Sequence, residues 1–379
     1  MMLVSRSDRG PVARWWFTLD WPLLSAILLL LSIGVLVSLA ASPPVATRIG
    51  LDPLHFVQSQ IFHLMFALVG MVLLSFLQEN WIRRLAIAGF VGSMGLMIAA
   101  LLWGPEIKGA HRWIDVGPVG LQPSEFAKPT FVVVFAWFLS DRLLRPDMPG
   151  HKVACGLAAA FVGLLVLQPD FGQAALVSVT IGCMMLIAGL PWLAIGLMVG
   201  VACVATFAAY TFVPHVTSRI DRFFNPDSGD SFQIDTATDA FSRGNLMGTG
   251  PGGGQAKLVL PDAHTDFTFA VVGEEFGLFA CLLLMTVFFF IVMRIFARAK
   301  REENAFSALA LTGLGSMFGL QACINMGVNV ALLPAKGMTL PFISYGGSSL
   351  IGTALAMGFV LALGRSSPHQ KNYFSVATA

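Results

Sequence analysis

The chain is a succession of long apolar runs separated by short polar segments. A helix that crosses a bilayer needs about 20 mainly apolar residues. On that measure the sequence predicts ten spans: 21–41, 61–77, 86–104, 125–140, 153–167, 174–190, 192–212, 267–296, 305–330 and 343–364. The fourth to sixth are short or poorly bounded, so the number carries a margin of one or two. The first run follows Arg6, Arg9 and Arg14 and ends in Leu39-Ala40-Ala41-Ser42, the outline of a cleaved signal peptide. Its long apolar core and the nine spans after it favour an uncleaved helix. The fold class expected is an all-α integral membrane protein with one polytopic domain over 1–379. That domain has an arm at 1–20, a large loop at 213–266 between spans seven and eight, and a tail at 365–379.

Composition supports this. The 379 residues are 56% hydrophobic and 12% charged, with mean hydropathy +0.76, against about 45–50% and 25% for soluble domains. A soluble enzyme and a disordered chain are excluded, and a net charge of +2 gives no basic footprint for nucleic acid. Cys155, Cys183, Cys203, Cys281 and Cys323 lie inside apolar runs and form no CxxC, so they read as small buried hydrophobes, with no disulfide and no zinc site.

Charge sets orientation. With the N-terminus in the cytoplasm, inner segments carry 14 Lys and Arg and outer segments 8, four of them in the one long loop. Both termini are therefore expected in the cytoplasm. Trp15, Trp16, Trp21, Trp81, Trp103 and Trp192 fall near span ends, where an interfacial belt belongs. The inner loops are short and basic. Four polar, Gly- and Pro-punctuated segments share the outer face: 105–124, 168–173, 213–266 and 331–342. A 54-residue loop in a compact protein usually has a function. Outside a bacterial cytoplasmic membrane no nucleotide donor is expected, so synthesis there needs a donor activated before export, such as a lipid-linked pyrophosphate.

Candidate chemistry follows from those segments. Asp266 closes the long loop against the eighth span, where partial desolvation would raise its basicity as a general base requires. An Asp before an apolar run is also a preferred helix cap. His264, two residues earlier, could tune it or be a loop residue. Glu274 lies eight residues after Asp266, on about the same helical face, and with Glu275 is either functional or the partner of another buried charge. Glu125 and Lys128, spaced i, i+3, form an ion pair, or Lys128 meets a phosphate. Asp170 sits in a Pro-Asp-Phe-Gly turn and could accept a bond from a basic group across the outer face. Arg219 and Arg222 suit a pyrophosphate or anionic headgroup, or an interfacial position. Gly250-Pro-Gly-Gly-Gly-Gln-Ala-Lys257 lacks Walker spacing and reads as a flexible loop.

Four strings taken together resemble the SEDS family (shape, elongation, division and sporulation), and its cell-division branch in particular. They are KGAHRWIDVGPVGLQPSEFAKP at 108–129, QPDFG at 168–172, the block from GTGPGGG at 248 through PDAHTDFTFAVVGEEFG, and LLPAKGMTLPFISYGGSS at 332–349. Ala335, where Thr is commoner, and His111, where Arg is frequent, are small departures. The resemblance implies a peptidoglycan glycosyltransferase that polymerises lipid II outside the inner membrane at the division septum. It implies Asp266 as the catalytic residue, and functionally sensitive positions at Arg112, Trp113, Gln122, Ser124, Glu125 and Lys128. Residues expected around the substrate or its pyrophosphate also include Lys108, Asp170, Arg219, Arg222, His264, Thr265, Glu274, Lys336, Ser344 and Tyr345. No cofactor is assigned, although a divalent cation (Mg or Mn) could share in stabilising the pyrophosphate. Implied partners are lipid II, the lipid-linked glycan strand, membrane lipid, a class B penicillin-binding transpeptidase and other divisome membrane proteins. A lipid II flippase and a division scaffold remain alternatives.

Overall fold

The computed structural model describes residues 10–107, 109–116, 119–144, 149–189, 232–334 and 337–365, with isolated positions 196, 200, 210, 211 and 217. Where hydrocarbon surrounds the backbone, helices satisfy its polar groups internally, and the described residues are mainly helical. The long apolar runs give α2 (Trp21–Arg48), α3 (His55–Ser75), α4 (Glu79–Trp103), α5 (Pro123–Leu144), α6 (Gly150–Leu167) and α7 (Phe171–Ile187), preceded by a short α1 (Pro11–Thr18). After them come α8 (Phe232–Gly244), α9 (Ala256–Val259), α10 (Thr268–Arg301), α11 (Ala305–Asn329) and α12 (Gly347–Leu363).

Nine of the ten predicted spans coincide with helices, and the remaining one, the seventh at 192–212, lies outside the described residues except for isolated positions. The chain is a multi-pass membrane protein: six of these helices, α2, α3, α4, α6, α10 and α11, are long and apolar enough to cross a membrane. The second span starts earlier than expected, at His55, in a first turn where Val57 is buried and His55 and Gln58 are exposed. An antiparallel pair, β1 (Ile114–Val116) with β2 (Val119–Leu121), places Asp115 opposite Gly120 and was not predicted. The described part of the long loop is not loose chain either, since it contains α8 and α9.

α11 is the most enclosed of the six and α3 the least. α3 packs most extensively on α12, α4 on α5 and α10 on α11. Small residues let backbones approach, as expected where lipid offers no hydrophobic drive for association. A Cβ built on Gly34 of α2 would stand 2.1 Å from the Phe342 carbonyl oxygen. Outward-facing side chains such as Phe62, Phe66, Leu283 and Phe289 are exposed, as lipid contact requires.

α2 and α10 run antiparallel and are tied at both ends. At one end Asp20 caps α2, accepting from the Leu23 amide at 3.2 Å, and also accepts from Arg294 and Arg298 of α10. Burial pushes the Asp20 carboxyl up, and the bonds from Arg294 and Arg298 outweigh it, holding it below the ordinary carboxylate range. The clamp is therefore complete above about pH 4 and is lost as pH falls through the lowered value. At the other end Arg48 donates to the carbonyls of Leu258, Val259, Leu260 and Pro261 at 3.0–3.5 Å.

α10 is broken near its start. Gly277 has φ 77° and ψ −177°, a conformation essentially confined to glycine. The displaced amides find partners in the preceding loop: Leu278 donates to Asn245 at 3.0 Å and Phe279 to Leu246 at 3.4 Å. A Cβ on Gly277 would meet the Gly248 nitrogen at 2.4 Å. Gly277→Ala is expected to lower stability by about 1–3 kcal/mol or more. Gly92→Ala, where nothing lies within 4 Å of the added carbon, should be neutral or stabilising by up to about 1 kcal/mol. Thermal unfolding of the detergent-solubilised protein checks both.

Candidate active site

The turn 261–266 is built on the Asp262 carbonyl, which accepts the amides of Thr265, Asp266 and Phe267 at 3.1–3.2 Å and the Thr265 hydroxyl at 3.3 Å. α10 begins only at Thr268, with Phe267 as N-cap and no side-chain capping bond. Asp266 is therefore neither the cap nor on the helix, and the shared helical face expected with Glu274 does not exist. Two asparagines of α11 do the holding instead. Asn325 and Asn329 each donate through Nδ2 to the Asp266 carbonyl at 2.9 Å, and Asn329 Oδ1 accepts the Ala270 amide at 3.0 Å. Asn325 also donates to the Met338 carbonyl, so the Asp266 turn and the 337–346 segment are held by one side chain. Asp266 is half-buried, and a carbon added at Gly337 would lie 3.4 Å from its Oδ2.

These asparagines were missed in the sequence, although a signal existed. Gln321, Asn325 and Asn329 recur every fourth residue inside an apolar run, which puts three polar side chains on one helix face. All three are buried.

Beside Asp266 the 344–346 turn closes on the same loop. The Tyr345 amide donates to the His264 carbonyl at 2.8 Å, and the two rings lie 5.4 Å apart. Phe56 of α3 stacks on His264 at 4.6 Å and meets Tyr345 edge-on at 5.0 Å. Ser344 is buried and uses its hydroxyl to accept the Leu340 amide at 3.0 Å, so it shapes the turn.

A second polar cluster lies deeper. Lys128 is fully buried and its ammonium donates to Glu125 Oε1 (2.9 Å), Gln173 Oε1 (2.9 Å) and Gln321 Oε1 (3.2 Å). An ammonium has three donors, so Lys128 has none left for a phosphate in this arrangement. Gln321 Nε2 passes the network on to the Thr339 carbonyl at 3.1 Å. Arg112 donates to the Gln168 carbonyl at 2.9 Å and to the Pro169 carbonyl, and its Nη1 lies 3.6 Å from Asp170 Oδ1. Asp170 caps α7 by accepting the Gln173 amide at 3.4 Å, and Gln122 Nε2 lies 3.5 Å from its other oxygen. Burial pushes the Asp170 carboxyl up, and Arg112 offsets this only in part. The Gln122 amide donates to Ser348 at 3.0 Å, Ser124 is buried, and Trp113 packs beside Gly120.

The glycine-rich run is ordered by the two glutamates. Glu274 accepts the amides of Gln255 (2.9 Å) and Ala256 (2.8 Å), with Arg243 at 3.8 Å. Glu275 accepts the Gly252 amide at 3.0 Å and pairs with the buried Lys257. Successive backbone amides form an anion nest, and here the chain's own carboxylates fill it. The flexible loop expected from composition is thus a fixed strap over the break in α10.

Lys108, Arg219, Arg222 and Lys336 lie outside the described residues. Among the described residues no three His, Cys, Asp or Glu side chains converge on a point that could hold a metal ion.

A family model described as "cell cycle protein" and labelled FTSW_RODA_SPOVE matches residues 21–369. A probable peptidoglycan glycosyltransferase FtsW of Caulobacter vibrioides is 40% identical over 365 residues, covering 96% of this chain and 94% of that relative. The protein of the same name from Saccharophagus degradans is 38% identical, covering 90% and 91%. A solved structure described as a peptidoglycan synthase complex coordinating polymerization and crosslinking matches with TM-score 0.77 at 30% identity, covering 92% of this chain and 98% of that one. The rod shape determining protein RodA of Thermus thermophilus matches with TM-score 0.68 at 28% identity, covering 92% and 97%.

Two outcomes follow from the geometry. Lys128→Met strands the buried Glu125 carboxylate and should cost about 3–5 kcal/mol, most of it regained in the Lys128→Met, Glu125→Leu double variant. Asn329→Ala should cost about 1–3 kcal/mol, because the Ala270 amide loses one of its two acceptors and the Asp266 carbonyl one of its two asparagine donors. Thermal unfolding of the purified variants reads both.

Proposed function

The chain belongs to this family of cell cycle proteins, and from that premise we propose that it is a septal peptidoglycan glycosyltransferase. It polymerises lipid II into β-1,4 glycan strands and releases undecaprenyl pyrophosphate. The observation that carries the mechanism is the placement of Asp266. The turn bearing it is fixed through its backbone by two buried asparagines, and its half-buried carboxylate stands against the Gly337 segment. A general base needs this combination of rigid backbone and partial desolvation.

In the proposed reaction Asp266 takes the proton of the GlcNAc C4 hydroxyl as that oxygen attacks C1 of MurNAc on the lipid-linked strand. The O4–C1 bond forms, the C1–pyrophosphate bond breaks, and single in-line displacement inverts α to β. The leaving group carries its electron pair away as pyrophosphate and needs charge stabilisation more than a proton. Lys128 is committed to Glu125, Gln173 and Gln321, so this role passes first to Lys108, Arg219, Arg222 and Lys336. Arg112 joins them if it leaves the 168–170 turn. Thr265, His264 and Tyr345 lie in or against the Asp266 turn and line the acceptor side. Glu125, Lys128, Asp170 and Glu274 hold the framework, together with Gln122, Ser124, Trp113 and Ser344.

Orientation follows from the two ends of α10. Arg298, Lys300 and Arg301 fill its last turn, roughly 50 Å from Asp266 at 1.5 Å per residue. The basic end is cytoplasmic and the Asp266 end extracytoplasmic, in the inner membrane of the septum. The whole of 1–379 acts as one membrane domain beside a class B penicillin-binding transpeptidase and other divisome membrane proteins.

Asp266→Asn keeps the shape of the side chain and removes its basicity. Polymer made from purified lipid II should fall at least about 100-fold with the thermal midpoint unchanged. Near-normal polymer from that variant would overturn the base assignment. Translocation of lipid II without polymer from the wild-type chain would favour a flippase, and normal division with the inactive variant a scaffold.

A further inference from the structure

α3 carries one polar side chain that the framework does not account for. Gln60 is 2% exposed, and among the described residues neither its Oε1 nor its Nε2 has a hydrogen-bond partner. Such a group is costly in a lipid-embedded bundle, where water does not compensate it. Replacing it by an apolar residue of similar size would remove the cost, so its presence points to a partner that the described residues do not supply.

Its neighbours indicate what that partner is. At about 100° per residue, Phe56, Ser59, Gln60 and His63 share an arc of roughly 100° on α3. Phe56, Ser59 and His63 are half-buried, at the border between the packed face of α3 and its lipid-facing row. Ser59 Oγ lies 3.2 Å from the Tyr345 hydroxyl, and the Phe56 ring touches both Tyr345 and His264. The His63 ring occupies the space where a side chain on Gly347 would be, 2.6 Å from the position of its Cβ. The Tyr345–His264 backbone bond joins this surface to the turn that carries Asp266.

We propose that this face of α3, completed by Tyr345 and His264, is the subsite for the N-acetylated sugar whose hydroxyl Asp266 deprotonates. Its chemistry is neutral and mixed: aromatic faces for the apolar side of a pyranose ring, and hydroxyl, imidazole and amide groups for its polar edge. Those groups suit a sugar better than a pyrophosphate, which calls for Lys or Arg. A carboxamide offers one acceptor and two donors, the complement of an acetamido group, which has one N–H and one C=O. Phe56 and His63 flank Gln60 one turn to either side, and the sugar reaches the buried carboxamide when these half-buried rings move apart. The inference rests on the glycosyltransferase reading above.

The test uses the full chain in nanodiscs with lipid II and with an analogue whose GlcNAc acetamido group is replaced by hydroxyl. The wild type should show a KM about tenfold higher for the analogue, the scale of one neutral hydrogen bond. Gln60→Leu should raise KM for lipid II about tenfold, leave kcat nearly unchanged, abolish the discrimination against the analogue, and keep or raise the thermal midpoint. Wild-type KM and discrimination in Gln60→Leu would overturn the subsite and leave Gln60 as a packing residue or the ligand of a buried water. Should Gln60→Leu fail to fold, Gln60→Met is read in the same way. Should the wild type make no polymer, the glycosyltransferase reading fails on its own. Direct lipid II binding then still decides the subsite, with equal affinity of wild type and variant counting against it.

Discussion

The polar stripe of α11 is the interaction on which the rest of the site depends. In a bundle bathed in lipid, a buried donor or acceptor finds its partner in the protein or goes without. Gln321, Asn325 and Asn329 lie on one face of the most enclosed spanning-length helix, and together they tie it to α5, α10 and two loops. Gln321 meets Lys128 of α5 and the Thr339 carbonyl, Asn325 meets Asp266 and Met338, and Asn329 meets Asp266 and the first turn of α10. Removing the stripe would take one of three acceptors from the buried Lys128 ammonium, the side-chain donors from the Thr339, Met338 and Asp266 carbonyls, and one of two acceptors from the Ala270 amide. The turn that carries Asp266 is thus held through its main-chain carbonyl.

The two glutamates after Asp266 show the same constraint acting on a loop. Carboxylates inside a span are expensive, and the glycine-rich run supplies the amides that satisfy them. Glycine is needed there for approach: Gly248 and Gly277 back onto each other where α10 breaks, and a side chain on either would meet backbone. The break and the strap therefore require one another. The broken helix exposes amides that residues 245 and 246 receive, and the strap offers amides that Glu274 and Glu275 receive. Sequence spacing places Glu274 near Asp266 as a second chemical group, and tertiary bonding makes it part of the support beneath it.

Much of the fold was legible because its determinants are local. Apolar runs of bilayer length mark the helices that were seen, and the errors were small shifts such as the early start of α3 at His55. Asp266 stood out through its string and its place beside a span. The asparagines showed only as a four-residue spacing, and Arg48 and Gln60 not at all, because a polar residue in an apolar run gives no hint of its partner. Arg48 binds carbonyls more than 200 residues away. The β1–β2 pair was also invisible, being two three-residue strands with no periodicity to read.

By itself, then, the sequence determined that this chain lives in a membrane, roughly where it crosses, and which strings carry the chemistry. Hydropathy and motif identity are properties of neighbouring residues, and they survive without the fold. Only the tertiary structure decided which charged groups are already spent. Lys128 is saturated by three oxygens from three helices, Glu274 and Glu275 accept backbone amides of the strap, and Asp266 lies off the helix that follows it. Whether a polar group is free to act depends on partners brought together from distant parts of the chain, and in a medium without water those partners are what hold it.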